Sequence, residues 1–234
     1  FRIYGVADDR IRNHRIAEAE KAGIRITHAG FNTVRSTVAW VQGQKNLNNR
    51  DMAAIRNLIR IAEAQDLRIC LTVFPWKDTR TPIISSEQWD FVNFLGYLAE
   101  ALPEVNCWEI GNEPNLGQFF RPQFGGDGKN VSAKLYFRLL GRSYDRLKGV
   151  SPENTVIGGA LASEGKDDHW APTKTTSPTV FIRKLGEAYR ESGRQRPVMD
   201  WFSIHPYGAT SSEAPDTPHP SGTTIGFADY NKLV

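Results

Sequence analysis

The sequence predicts a parallel α/β protein, a (β/α)8 barrel of which this chain of 234 residues carries about six of the eight βα units. Three observations lead there. Short β-type runs recur from one end of the chain to the other, amphipathic helical patterns fill the intervals, and no two runs are joined by a hairpin turn signal. Parallel neighbours need a long crossover, usually a helix, and the alternation supplies one.

The β-type runs are RIYGVA (2–7), TVRSTVAW (33–40), RICLTVF (68–74), NCWEIG (106–111), TVIGGALA (155–162) and DWFSIHPY (200–207). Among the helical intervals, MAAIRNLIRIAEAQ (52–65) sets Met52, Ile55, Leu58, Ile59 and Ala62 on one stripe with arginines opposite. SEQWDFVNFLGYLAEAL (86–102) repeats the pattern, with Ser85 or Ser86 as its N-cap. AKLYFRLLGRSYDRLK (133–148) and TVFIRKLGEAYRESG (179–193) follow, and Gly193 stands where a glycine stops a helix. TTIGFADYNKLV (223–234) reads as the opening of a sixth helix. A doubly wound open sheet is the alternative, but neither GxGxxG nor another phosphate loop follows any run. A full barrel needs about 250 residues, so residues 1–234 read as one partial barrel domain, with strands seven and eight expected after Val234.

Composition narrows the partners. A mean hydropathy of −0.44, with no apolar run near the span of about 18 residues that a membrane helix needs, excludes a membrane role. The net charge of +3 is spread over 29 basic and 26 acidic residues without a Lys/Arg block, which argues against nucleic acid and for a neutral or weakly charged ligand. Nothing in the sequence speaks to oligomeric state. The chain opens on Phe1 with neither Met nor a signal-like segment, which reads as a trimmed end and leaves a secreted or extracytoplasmic location as the expectation. Cys70 and Cys107 lie in apolar runs without a CxxC or a histidine partner, so buried free thiols are expected rather than zinc, with a disulfide as the alternative.

In a barrel of this type chemistry gathers where the strands run into the following loops. The residues there are Asp8 and Asp9, Arg35 and Trp40, Trp76, Asn112 and Glu113, Glu164, and His205 with Tyr207. They include no HxH or other set at metal-ligand spacing and no GxSxG, so neither metal nor cofactor is expected. Alternation along the fourth run puts Cys107, Glu109, Gly111 and Glu113 on its inward face. A buried carboxylate is costly unless paired, and Arg35 is the counter-charge in reach of Glu109. Glu113 differs because it stands at the mouth. Trp40, Trp76 and Trp170 offer indole faces that could stack on a sugar ring, although tryptophan also fills cores. The loop 115–130, rich in glycine and aromatic residues, suits a flap or a subsite.

WEIGNEP after the fourth run, SIHPYG on the sixth and Arg35 within TVRSTVAW together resemble the retaining glycoside hydrolases of clan A, which include cellulase-like and xylosidase-like families. The resemblance covers the order of units along the whole chain, while its specific matches are confined to those three segments. It implies a barrel that cleaves O-glycosidic bonds of a glycoside, oligosaccharide or polysaccharide using two carboxyl groups about 5–5.5 Å apart. By motif Glu113 is the acid/base, Asn112 binds the sugar 2-hydroxyl, and His205 and Tyr207 orient the nucleophile and substrate; Arg35 and, by their indole faces, Trp76 and Trp40 join them as substrate-binding candidates. The nucleophile of those families is a Glu at the end of strand seven, expected here beyond residue 234. Within the chain only Glu164, Asp8 and Asp9 could substitute, and none has motif support. Two alternatives stand beside the hydrolase: a catalytically inactive carbohydrate-binding barrel, and an inverting or non-sugar hydrolase using Glu113 with a more distant carboxylate.

Overall fold

The computed structural model describes residues 3–76 and 85–233. Six parallel strands, β1 (Gly5–Ala7), β2 (Thr33–Trp40), β3 (Arg68–Pro75), β4 (Cys107–Ile110), β5 (Thr155–Ala162) and β6 (Trp201–His205), form one sheet in sequence order. The sheet curls into part of a barrel, with β1 and β6 as its two edges among the described residues. Helices α1 (Ile16–His28), α2 (Asn49–Ala64), α3 (Ser85–Ala101), α4 (Ser132–Val150) and α5 (Pro178–Glu191) cover its convex side.

Each helix follows from its pattern. The Ile55, Leu58, Ile59 and Ala62 stripe of α2 is buried, and Asn48 caps the helix by accepting from Asp51 N at 2.9 Å. α3 buries Phe91, Phe94, Leu95 and Leu98, and its residues before Ser85, where a cap would sit, lie outside the described residues. Pro178 occupies the first turn of α5, where its missing N–H costs nothing, and Gly193 at φ 66° lies just past its end. The segment expected to open a sixth α-helix is instead a 3-10 turn over Phe227–Leu233, kinked at Asp229. The Asp229 carboxylate accepts from the backbone N–H of Gly226 and of His219, which folds the segment back on itself rather than letting it propagate.

Alternation along the strands divides the layers. On β2 the buried Val34, Ser36, Val38 and Trp40 face the helices, and Arg35 and Thr37 face the barrel interior. Register then sets Arg35 beside Cys70, and Thr37 beside Thr72 and Glu109. Cys70 and Cys107 are free thiols. Their mutual hydrogen bond and the burial around them push the Cys70 thiol up, and the same bond draws Cys107 down.

Candidate active site

β4 ends at Ile110, and the chain leaves the sheet through Gly111 at φ 89°, Asn112, and Glu113 at φ 44°. Glycine enters the left-handed region freely, whereas a non-glycine residue there costs about 1–3 kcal/mol. Neighbouring strands hold the distortion: Gly111 N donates to Val73 O and Glu113 N to Ala160 O, both at 2.8 Å. Ala160 is itself left-handed at φ 48° and follows Gly159 at φ 97°. These two residues form a bulge, because Gly158 and Leu161 of β5 pair with Phe202 and Ile204 of β6. Tyr136 of α4 clips the two irregularities together. Its buried hydroxyl donates to Ile110 O at 2.6 Å and accepts from Gly159 N at 2.9 Å. Burial pushes that phenol above its ordinary range.

This backbone aims Glu113 past β5 at β6, where its Oε1 lies 2.9 Å from His205 Nδ1, with both side chains about five-sixths buried (16% and 17% exposed). Asn112 is half-buried at the same turn. Tyr207 N donates to His205 O at 2.9 Å, and the Tyr207 ring stands edge-on to the imidazole at 6.2 Å between centroids while staying exposed. Glu113 opens onto a cleft of about 780 Å³, walled by Leu116, Ala162, Glu164, Pro172 and Pro220.

Arg35 and Glu109 meet lower in the barrel. Glu109 Oε2 accepts from Arg35 Nε and from Thr72 Oγ1, and Oε1 accepts from Ser203 Oγ, each at 2.6 Å. Burial alone would raise the Glu109 carboxyl, but the Arg35 charge and the two hydroxyls outweigh it and hold the group below the usual carboxylate range. Arg35 Nη2 is buried and has no hydrogen-bond partner among the described residues. Arg35 contacts Glu109 in the interior and is not among the residues that wall the Glu113 cleft.

The tryptophans separate. Trp40 is completely buried on the helix side of β2, edge-on to Phe91 at 5.4 Å, with its Nε1 donating to Gln44 O at 3.0 Å. It therefore presents no face to a ligand, which corrects the expectation that it lines the mouth. The reason is parity: Arg35 and Trp40 are five positions apart on one strand, so only one of them can face inward. Trp76 stands at the end of β3, 42% exposed and edge-on to Phe74, which also meets Phe119 of the 115–130 loop. Trp170 is 83% exposed on the loop after β5 and leans on His169.

The two carboxylates after β1 are engaged. Asp8 binds Arg10, and Asp9 accepts from Ser36 Oγ, Thr37 N and Thr37 Oγ1. Among the described residues no group of three or more His, Cys, Asp or Glu side chains is placed to hold a metal, and no helix is long and apolar enough to cross a membrane.

Three supporting residues carry no sequence signal of their own. The completely buried Asn115, two positions after Glu113, accepts from Ala162 N at 2.9 Å and donates to the carbonyls of Ala162, Glu164 and Thr176. It ties the loop after β4 to the end of β5. Gln123 donates to Pro114 O and Phe120 O and accepts from Ser132 and Thr176 hydroxyls, which pins the 115–130 loop from within. Tyr136 is the third. Of the three, Asn115 alone adjoins a motif, following WEIGNEP directly.

No family profile and no curated protein sequence matches the chain. Solved structures do. The β-mannanase of the blue mussel Mytilus edulis superposes with a TM-score of 0.59 at 17% identity, over 90% of this chain and 70% of its own. The fold is a partial TIM barrel. A monomeric β-xylosidase from Caulobacter crescentus gives 0.57 at 17% identity, over 87% of this chain and 41% of its own. The endo-1,4-β-mannanase of Rhizomucor miehei gives 0.55 at 12% identity, over 73% and 59%. The chain thus spans less than two thirds of the length of those last two proteins.

Proposed function

We propose that these residues are the larger part of the catalytic barrel of a retaining glycoside hydrolase, acting on a glycoside, oligosaccharide or polysaccharide outside the cytoplasm. The observation that carries the reading is the contact of 2.9 Å between Glu113 and His205, made in an open cleft at the strand ends by a glutamate held in a left-handed conformation. Glu113 gives its proton to the departing glycosidic oxygen and then takes one from the water that completes hydrolysis. His205 orients the carboxyl, Tyr207 and Trp76 line the substrate, and Asn112 binds the 2-hydroxyl. Arg35, paired with Glu109 below the mouth, supports the site from beneath. The nucleophile is a glutamate on a seventh strand beyond residue 234, set about 5–5.5 Å from Glu113 as retention requires.

The test is Glu113→Gln in the polypeptide that includes the seventh strand. Turnover of glycosides with poor leaving groups should fall by at least the roughly 10²–10⁴-fold that general acid catalysis contributes, and activated aryl glycosides should suffer far less in the glycosylation step. Equal losses on both would remove Glu113 from the acid role. Binding of sugars with no turnover by the complete wild-type chain would favour an inactive carbohydrate-binding barrel.

A further inference from the structure

Glu113 and His205 are not the only carboxylate and imidazole that meet at this cleft. His219, on the loop after β6, has a side chain only 1% exposed, and its Nε2 lies 2.9 Å from Tyr207 O. A carbonyl can only accept, so Nε2 carries a hydrogen and Nδ1 is left facing away from Tyr207. That Nδ1 is buried without a hydrogen-bond partner and lies 3.8 Å from Glu164 Oε1. The buried nitrogen thus has the Glu164 carboxylate as its nearest polar neighbour, at the border between the interior and the cleft. The ring has little freedom to turn away: a Cβ on Gly226 would come within 2.7 Å of its Cδ2 and Nε2, and His219 N is tied to Asp229 Oδ2 at 3.0 Å. The charged groups around it are Glu164 from the loop after β5 and, from the closing 3-10 turn, Asp229 with its partner Lys232.

Glu164 itself is 55% exposed and walls the same cleft as Glu113, with its backbone carbonyl held by Asn115. We propose that Glu164 is a specificity-determining residue, a carboxylate that accepts from two neighbouring hydroxyls of a neutral sugar beside the scissile bond, and that His219 is the positioning residue that holds it there. The inference rests on the glycosidase reading for the identity of the ligand. The rest of the wall suits a neutral ligand: Leu116, Ala162, Pro172 and Pro220 are apolar, and Lys166 balances one carboxylate. Because His219 also grips the Tyr207 carbonyl, one imidazole sets both the sugar-binding carboxylate and the aromatic residue beside His205.

The test uses the full chain and needs no turnover. Mannotetraose, xylotetraose and cellotetraose are titrated into wild type, Glu164→Gln and His219→Gln by calorimetry, and the His219 ring nitrogens are followed by ¹⁵N-edited NMR. At least one tetrasaccharide should bind wild type and bind each variant about tenfold more weakly, as the loss of charge-assisted hydrogen bonds implies. The His219 Nδ1 resonance should shift in Glu164→Gln, since its nearest polar neighbour changes. Unchanged affinity in Glu164→Gln, no binding of any tetrasaccharide by wild type, or an Nδ1 resonance insensitive to Glu164 each overturns the proposal. In the hydrolytic assay the same variants should raise KM about tenfold with kcat within about twofold, since the contact is made equally in ground and transition states. If the tetrasaccharides bind as expected while no glycoside is cleaved, the hydrolase reading fails and the Glu164 assignment stands.

Discussion

Arg35→Met should destabilise the barrel severely, because it strands one of the most buried charges in the protein. The Glu109 side chain is 5% exposed and satisfied by three donors at 2.6 Å, of which only Arg35 is cationic. Without it the carboxylate keeps two hydroxyls and loses its counter-charge. Breaking a buried pair on one side costs about 3–5 kcal/mol. At about 2–4 °C of melting temperature per kcal/mol for a chain of this size, the expected fall is about 6–20 °C. Glu109→Gln should cost about as much from the other side, because the guanidinium already has Nη2 without a partner among the described residues. The double variant Arg35→Met/Glu109→Leu should recover most of the loss, since the desolvation of both charges goes with the pair. The pH dependence has a definite sign. The folded carboxyl lies below its unfolded value, so its contribution is fully present above the unfolded pKa and is lost as pH falls through the folded one. Calorimetry on the three variants decides the matter. If Arg35→Met melts within a degree of wild type, or Glu109→Gln keeps its melting temperature but loses all turnover, the pair is no brace and Glu109 belongs to the chemistry.

Two further outcomes follow from single residues. Asn115→Ala should lower stability in urea by about 2–4 kcal/mol with an unchanged m value, because it leaves buried backbone groups of Ala162, Glu164 and Thr176 unpaired, and turnover should fall with it as the wall beside Glu113 loosens. Asp229 is held at about 2, since the N–H groups of Gly226 and His219 and the Lys232 ammonium outweigh the upward push of burial. Its contribution is therefore present at neutral pH and disappears on acidification, so the gap in melting temperature between wild type and Asp229→Asn should narrow as pH falls from the ordinary aspartate range toward about 2.

Period and parity carried the architecture. β2 and β5 run over the same residues as their sequence patterns, 33–40 and 155–162, because both are long, apolar and flanked by polar segments. The pairing of Arg35 with Glu109 also followed from side-chain direction, since a buried carboxylate must find a cation. Trp40 shows the cost of applying that rule unevenly: parity places it outside the barrel, and only its position at the end of a strand suggested otherwise. The Asp229 turn was hidden for a different reason. Its fold depends on one side chain capturing two backbone N–H groups ten and three residues away, and no periodic pattern encodes that. His219, Gln123 and Tyr136 were equally silent, because an isolated polar residue in sequence gives no sign of the distant carbonyl or amide it will meet.

The stretch around Glu113 shows how sequence, strain and chemistry meet. A solvated loop has no reason to force a glutamate into the left-handed region, where asparagine or glycine would sit at lower cost. Here the cost is carried by the surroundings: the Glu113 amide is tied to Ala160, the bulge that turns Ala160 carbonyl toward it depends on Gly159, and Tyr136 joins that bulge to the end of β4. Gly159 cannot be replaced without moving β6, because a Cβ there would lie 2.4 Å from Ser203 O. Ser203 in turn donates to Glu109, so the Arg35–Glu109 pair in the interior and the Glu113–His205 pair at the mouth share one support on β6. The lower pair fixes the spacing of β2, β4 and β6, and the upper pair uses that spacing to hold a carboxyl against an imidazole at the mouth. A glutamate kept in a strained conformation by four strands and a helix is held ready at the mouth, as the acid role proposed for it requires.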